Sequence, residues 1–212
     1  LKVFLNEAID RGLTTNKAHL SKRFTVAHEV TQAIYLNLDE LRAMYRVELP
    51  DHLDRVRDLF LLGCFTGLRF GDFSTLDRAD VVTLEGRQYI RKVTSKTRQE
   101  VLIPLRPIAR TILAKYGGSP PPTASNKHVN ESVKEVGRLA GISDEVTISR
   151  LVRGRLVSRT VPKYSEITTH TARRSFATNA FLSGVPAELI MKITGHRTEA
   201  AFRRYIRAGA AE

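Results

Sequence analysis

Residues 170–206 read HTARRSFATNAFLSGVPAELIMKITGHRTEAAFRRYI, and the glycines and proline in that run set the architecture of the last third of the chain. The pattern predicts three consecutive helices: Thr171 to Ser183 closed by Gly184, Pro186 to Thr194 closed by Gly195, and Thr198 to about Ala208. His170 and Arg173 are three apart at the mouth of the first helix and so share one face, with Phe176, Ala177 and Ala180 packing inward behind them. Two basic side chains on the buried side of a helix mouth repel each other unless an anion sits between them.

Upstream of this run the hydrophobic period changes twice. Asn37 and Glu40 form a capping-box signature for a helix through Leu41 and Met44 that stops near Pro50. A second helix begins at about Asp51, with Leu53, Val56, Leu59, Phe60 and Gly63 on a 3.6-residue period, and ends at Thr66-Gly67. Three short strands follow, Val81 to Leu84, Gln88 to Val93 and Glu100 to Pro104. Turns at Glu85-Gly86 and Ser95-Lys96-Thr97 make them an antiparallel meander. Helices resume at Ile108–Tyr116 and Asn130–Ala140, and residues 145–161 read as a second hairpin about Arg153-Gly154. The fold class is mainly α with a small antiparallel β-sheet (α+β). Residues 1–30 read as a short amphipathic helix (Val3, Phe4, Leu5, Ala8, Ile9) closed at Gly12, then a polar connector through His28 and Glu29. Alone that helix cannot bury its apolar stripe, and the chain begins at Leu1, so it reads as a fragment with a preceding domain missing.

The composition narrows the function classes. Of 212 residues, 42% are hydrophobic and 26% charged, which excludes disordered and disulfide-scaffold classes. The lone Cys64 permits no internal disulfide and suits a reducing cytoplasm. No apolar run approaches the roughly 20 residues of a membrane span, so no membrane role is expected. Lys and Arg number 34 against 22 Asp and Glu, a net charge of +12. Residues 31–80 carry a net −3, whereas 87–115 carry +7 and 146–174 carry +6. Such clustering costs self-repulsion unless something anionic neutralises it, and a phosphate backbone is the commonest partner, a plain basic surface being the alternative.

Six side chains stand at element boundaries. Arg69 follows an apolar helix in Thr66-Gly67-Leu68-Arg69; Lys96 crowns a hairpin turn; His170 and Arg173 share a helix mouth; His196 follows the Gly195 cap; Tyr205 lies nine residues on. Each has an ordinary explanation by itself: a helix-end arginine, a solvated lysine, an imidazole complementing a helix dipole, a core tyrosine. Together they are the parts of metal-free phosphoryl transfer. Guanidinium forks grip non-bridging oxygens, a lysine protonates a leaving alkoxide, imidazoles handle protons, and a phenol attacks. No His-Glu-x-x-His, Cys-x-x-Cys or phosphate-cradling Gly-Lys-Ser/Thr loop is present, so neither metal nor other cofactor is expected.

The order Arg69, Lys96, His170-x-x-Arg173, Gly195-His196 and Tyr205 resembles the catalytic signature of the tyrosine recombinases, the phage integrase family. The wording around His170 to Asn179 and Met191 to His196 is similar to integrases of mobile elements in Bacteroides-type bacteria. Arg174 departs from the pattern, standing where many members have histidine, and Ala172 replaces a frequent leucine. The resemblance implies that residues 1–36 end a truncated core-binding domain and its linker, and that 37–212 form the catalytic domain. It implies that Tyr205 attacks a scissile phosphate to give a 3′-phosphotyrosine, that Arg69 and Arg173 hold its oxygens, that Lys96 is the general acid, and that His170 and His196 assist. Asp72 is expected to orient Arg69, and Lys92, Arg98, Arg155 and Arg174 to contact the DNA backbone. The implied partners are double-stranded DNA, a homotetramer assembled on it, and accessory DNA-bending or directionality proteins. A type IB topoisomerase or a non-catalytic DNA-binding module are the competing readings.

Overall fold

The computed structural model describes residues 1–21, 33–122, 125–152 and 155–207, and the chain divides into two compact units, Leu1–Val30 and Thr31–Glu212. In the first unit, helix α1 (Lys2–Asp10) leaves Val3 and Phe4 exposed, and a 3-10 turn at Ala18–Leu20 brings His19 Nε2 within 2.7 Å of Asn6 Oδ1. The expected connector through His28 and Glu29 lies outside the described residues.

The second unit is built around α3 (Asp51–Thr66). The helix starts after Pro50, carries Asp51 and Asp54 in its first turn where the helix dipole favours carboxylates, and buries Leu59, Phe60, Leu61 and Leu62 completely. From Val56 onward every residue of the helix except Phe65 is buried, so that part is covered all round. It packs against α2 (Leu38–Arg46), α5 (Pro107–Lys115), α6 (Asn126–Leu139) and α7 (Thr169–Leu182). The expected capping box of α2 is present, Asn37 accepting from Asp39 and Glu40 while Glu40 bonds back to the Asn37 N–H.

The meander forms one sheet in the order β1 (Val81–Leu84), β2 (Arg87–Val93), β3 (Glu100–Pro104), all antiparallel. Ile90 pairs with Ile103 and Lys92 with Val101, which puts Ile90, Ile103 and Val101 on the buried face. Glu85 and Gly86 both have positive φ, the backbone a two-residue hairpin requires. A separate hairpin pairs β4 (Glu145–Val152) with β5 (Arg155–Pro162); its Arg153-Gly154 tip lies outside the described residues. Helices α8 (Ala187–Thr194) and α9 (Glu199–Arg207) complete the order, packing on α7 through Ile190, Phe202 and Ile206.

The mainly helical class holds, with differences at the ends. Helix α6 begins a turn earlier than expected because Ser125 Oγ caps it by accepting from His128 N–H, and α7 begins at Thr169 because Thr168 and Thr171 form a capping box. The one-turn helix α4 (Phe70–Phe73) was not foreseen. Among the described residues no helix is long and apolar enough to cross a membrane.

Candidate active site

Four chain segments meet at one place. The first is the end of α3, where Gly67 closes the helix at φ 68°. That left-handed geometry suits glycine, and a methyl group there would stand 2.3 Å from the Phe176 ring. The turn carries the chain through buried Leu68 into Arg69, the N-cap of α4, and leaves the Gly67 carbonyl to accept from Arg173 Nη1 at 2.7 Å. Arg173 is 3% exposed, so this bond fixes a buried guanidinium against the negative end of α3.

The second segment is the mouth of α7. Asn130 Oδ1 accepts from Thr169 N–H at 2.7 Å and Asn126 Oδ1 from the Thr169 hydroxyl at 2.9 Å, so α6 anchors the turn bearing His170 and Arg173. The third is the end of α8, where Gly195 at φ 60° folds His196 back so that its Nδ1 lies 2.8 Å from Thr194 Oγ1. The fourth is α9, which brings Tyr205 to within 4.8 Å of the His196 ring and 5.5 Å of the His170 ring, centroid to centroid.

Positive charge crowded in a largely desolvated place sets the electrostatics. Burial and then Arg69 lower the Arg173 guanidinium to about 10. Desolvation, then Arg174, Arg173 and Arg69, push His170 down to about 4. Desolvation, then Arg173, Arg69 and His170, do the same to His196. His170 keeps more of its surface in water than His196, so repulsion is screened more there. Both imidazoles are neutral at pH 7. The Tyr205 hydroxyl is buried with no hydrogen-bond partner of normal geometry among the described residues. Burial raises its pKa, and the nearby Arg174, Arg173 and Arg69 charges offset that only in part. Nearby positive charge favours the phenolate, but here desolvation outweighs it.

The other expected residues fall differently. Lys96 is exposed at the tip of the β2–β3 turn, while its neighbour Thr97 lies 3.5 Å from where a methyl on Gly195 would be. Thr97, Gly195, His196, Lys192 and Arg197 line an open cavity of about 570 Å³. Asp72 was expected to orient Arg69. Instead its Oδ1 accepts from the Ser95 N–H at 2.8 Å and the Ser95 hydroxyl at 2.7 Å, so it tethers the turn that carries Lys96. Lys92 is not a free surface cation: its ammonium bonds Asp80 Oδ2 at 2.7 Å and the Thr75 carbonyl at 3.0 Å. Arg98 is exposed on the same turn as Lys96, in a left-handed conformation at φ 56°. The Arg155 side chain lies outside the described residues. Arg174 was expected on the DNA backbone but stacks its guanidinium 4.7 Å from the Tyr205 ring centroid, its Nε buried without a partner. Sequence reading missed Ser95 and Thr194, and only Thr194 carried a local signal, a helix-terminal hydroxyl two residues before a histidine. Among the described residues no three His, Cys, Asp or Glu gather where they could hold a metal ion.

Residues 35–212 match the family described as the phage integrase family. The chain belongs to it. No curated protein matches the sequence significantly. Among solved structures, this phage integrase family member is similar to a lambda integrase (75-356) dimer bound to a COC′ core site, at TM-score 0.68 and 17% identity, covering 98% of this chain and 70% of that one. It is also similar to the XerH site-specific recombinase on palindromic difH (0.57, 18%, 84% and 51%) and to the Tn1549 transposon integrase (aa 82-397) with circular intermediate DNA (0.57, 15%, 95% and 70%). The fold is that of the site-specific tyrosine recombinases, and the chain spans between half and 70% of the length of these relatives.

Proposed function

We propose that this chain is the catalytic portion of a DNA integrase that cuts and rejoins strands through a phosphotyrosine. The observation that carries the reading is the Tyr205 hydroxyl, buried without a hydrogen-bond partner of normal geometry among the described residues, beside the positive charge of Arg69, Arg173 and Arg174. In the proposed step Tyr205 Oη bonds to phosphorus and gives up its proton to one of the neutral imidazoles beside it. The bond from phosphorus to the 5′ oxygen breaks, and Lys96 donates the proton that makes the 5′-hydroxyl. Arg69 and Arg173 take the non-bridging oxygens, whose charge grows in the transition state, with His170 and His196 assisting. The 3′-phosphotyrosine keeps the energy of the broken bond, so religation needs no nucleotide.

The relatives' names support DNA as the partner, and one of them, a lambda integrase tetramer on a Holliday junction, supports a tetramer as the working assembly. The transposon integrase among them supports integration and excision of a mobile element; the wording of the two motifs extends this to elements of Bacteroides-type bacteria, acting in the cytoplasm with accessory DNA-bending proteins. Of the cations expected to grip the backbone, Arg98 and Arg155 keep that role, Arg174 moves into the site and Lys92 is held by Asp80 instead. The test is covalent capture of a nicked suicide substrate carrying the element ends. Wild type forms the adduct and Tyr205→Phe does not; an adduct with Tyr205→Phe refutes the nucleophile assignment.

A further inference from the structure

Thr194 sits at the last position of α8 with 0% of its surface exposed, and its hydroxyl makes two short contacts. It donates to the Ile190 carbonyl at 2.7 Å and meets His196 Nδ1 at 2.8 Å. A hydroxyl has one proton, and a carbonyl oxygen can only accept. The proton is therefore committed to Ile190, and toward His196 the oxygen acts as acceptor. The hydrogen-bond network thus assigns the imidazole proton to Nδ1 and leaves Nε2 as a bare lone pair.

The ring has little freedom to escape this assignment. Gly195 folds the chain so that the His196 N–H reaches the Met191 carbonyl at 3.3 Å, and the imidazole packs at 5.6 Å against Phe202 and 4.8 Å against Tyr205. A bare Nε2 cannot bond a phosphate oxygen, because both are acceptors. It can take a proton, and the Tyr205 ring beside it carries a buried hydroxyl that has no hydrogen-bond partner of normal geometry among the described residues.

We propose that Thr194 is a positioning residue that locks His196 in the Nδ1–H tautomer, so that His196 enters the reaction as the proton acceptor for Tyr205. The catalytic half of this rests on the phosphotyrosine reading; the tautomer does not. The balance is simple. As Tyr205 Oη bonds to phosphorus its proton moves to His196 Nε2, and the departing 5′ oxygen takes a proton from Lys96. The imidazolium then holds Thr194 through Nδ1–H and presents Nε2–H to a phosphate oxygen. Religation returns the proton to Tyr205. The phosphate itself assists, since an anion between Arg69 and Arg173 neutralises the charges that repel a proton from His196.

The test has two arms, both on the full chain. In the first, ¹⁵N-histidine-labelled protein without DNA is examined by two-bond ¹H–¹⁵N correlation NMR, the His196 signals being identified by their loss in His196→Gln. Wild type and Thr194→Ser should show the Nδ1–H pattern, and the isosteric Thr194→Val should lose it. An Nε2–H pattern in wild type, or an unchanged pattern in Thr194→Val, overturns the proposal. In the second, single-turnover covalent capture should slow about fivefold in Thr194→Val, the worth of one neutral hydrogen bond, with DNA affinity unchanged and the rate restored in Thr194→Ser. Equal rates in all three overturn the catalytic half. Absence of capture in wild type overturns the integrase reading, while the NMR arm still decides the tautomer.

Discussion

The tether between Asp72 and Ser95 gives the sharpest prediction about how Lys96 reaches its task. Asp72 is 2% exposed, and its Oδ1 accepts two hydrogen bonds from Ser95, at 2.8 and 2.7 Å. Hydrogen bonds to a charged acceptor are worth about 1.5–3 kcal/mol each. The Ser95 groups can recover water when released, because the turn is exposed, so the lower end applies, giving a hold on the turn of about 3 kcal/mol for the pair. If that hold keeps Lys96 at the leaving oxygen, Asp72→Ala slows single-turnover cleavage on the order of 100-fold, at about 1.4 kcal/mol per tenfold. Asp72→Asn keeps an acceptor and loses the charge, so it slows cleavage about tenfold, at half that free energy. The decisive assay replaces the bridging 5′ oxygen by sulfur, a leaving group that needs no proton. On that substrate Asp72→Ala should cleave as fast as wild type. If the variant stays equally slow there, Asp72 acts on the phosphate clamp or the fold rather than through Lys96, and the reasoning is refuted.

Three further outcomes are expected. Asp58, 1% exposed, accepts from Arg57, Lys115 and Tyr116, and Asp58→Ala leaves Arg57 buried with only Asp54 as its acidic partner. The loss should be about 3 kcal/mol, seen in a thermal melt as a drop of about 6–12 °C. His170 and His196 titrate at about 4 when folded against 6.5 in the free side chain, so only the unfolded chain takes up their protons between those values. Stability therefore falls as pH drops from 6.5 to 4 and this contribution levels off below; His196→Gln should flatten its share of the slope in melts across that range, and an identical slope refutes the assignment. Arg98→Glu should reduce the slope of log affinity against log salt by about 1 in DNA-binding titrations, whereas an unchanged slope returns Arg98 to solvated surface.

The long elements were legible because their signals are local. The spacing of Leu53, Val56, Leu59 and Phe60 defines α3, the alternation around Ile90 and Ile103 defines the meander, and Asn37 with Glu40 marks the start of α2. Boundary position likewise singled out Arg69, His170, Arg173, His196 and Tyr205, which the fold brings together. What escaped was non-local. Lys92 is neutralised by Asp80, a pairing set by how β2 lies beside the 3-10 turn at Arg78–Asp80. Asp72 serves Ser95, 23 residues on, rather than Arg69 three residues back. Helix α4 is four residues long, too short for a periodic signal.

The sign of the Tyr205 shift changes what the arginines are for. Were their purpose to ionise the nucleophile in advance, the phenol would titrate below its ordinary value, yet burial holds it above. A phosphodiester entering the site makes ionisation harder still, since its negative charge opposes a second one on the phenolate. In the proposed reaction the guanidiniums of Arg69 and Arg173 therefore serve the phosphate; burial and then Arg69 lower Arg173, and an anion bound between the two arginines offsets their repulsion. The Tyr205 proton has to leave during attack, to a base that is neutral at pH 7. Burial first, and then the same arginines that cannot ionise the tyrosine, hold His170 and His196 neutral. In the proposed reaction one buried cluster of positive charge thus binds the phosphate, while burial and that charge together keep neutral the base that the nucleophile requires.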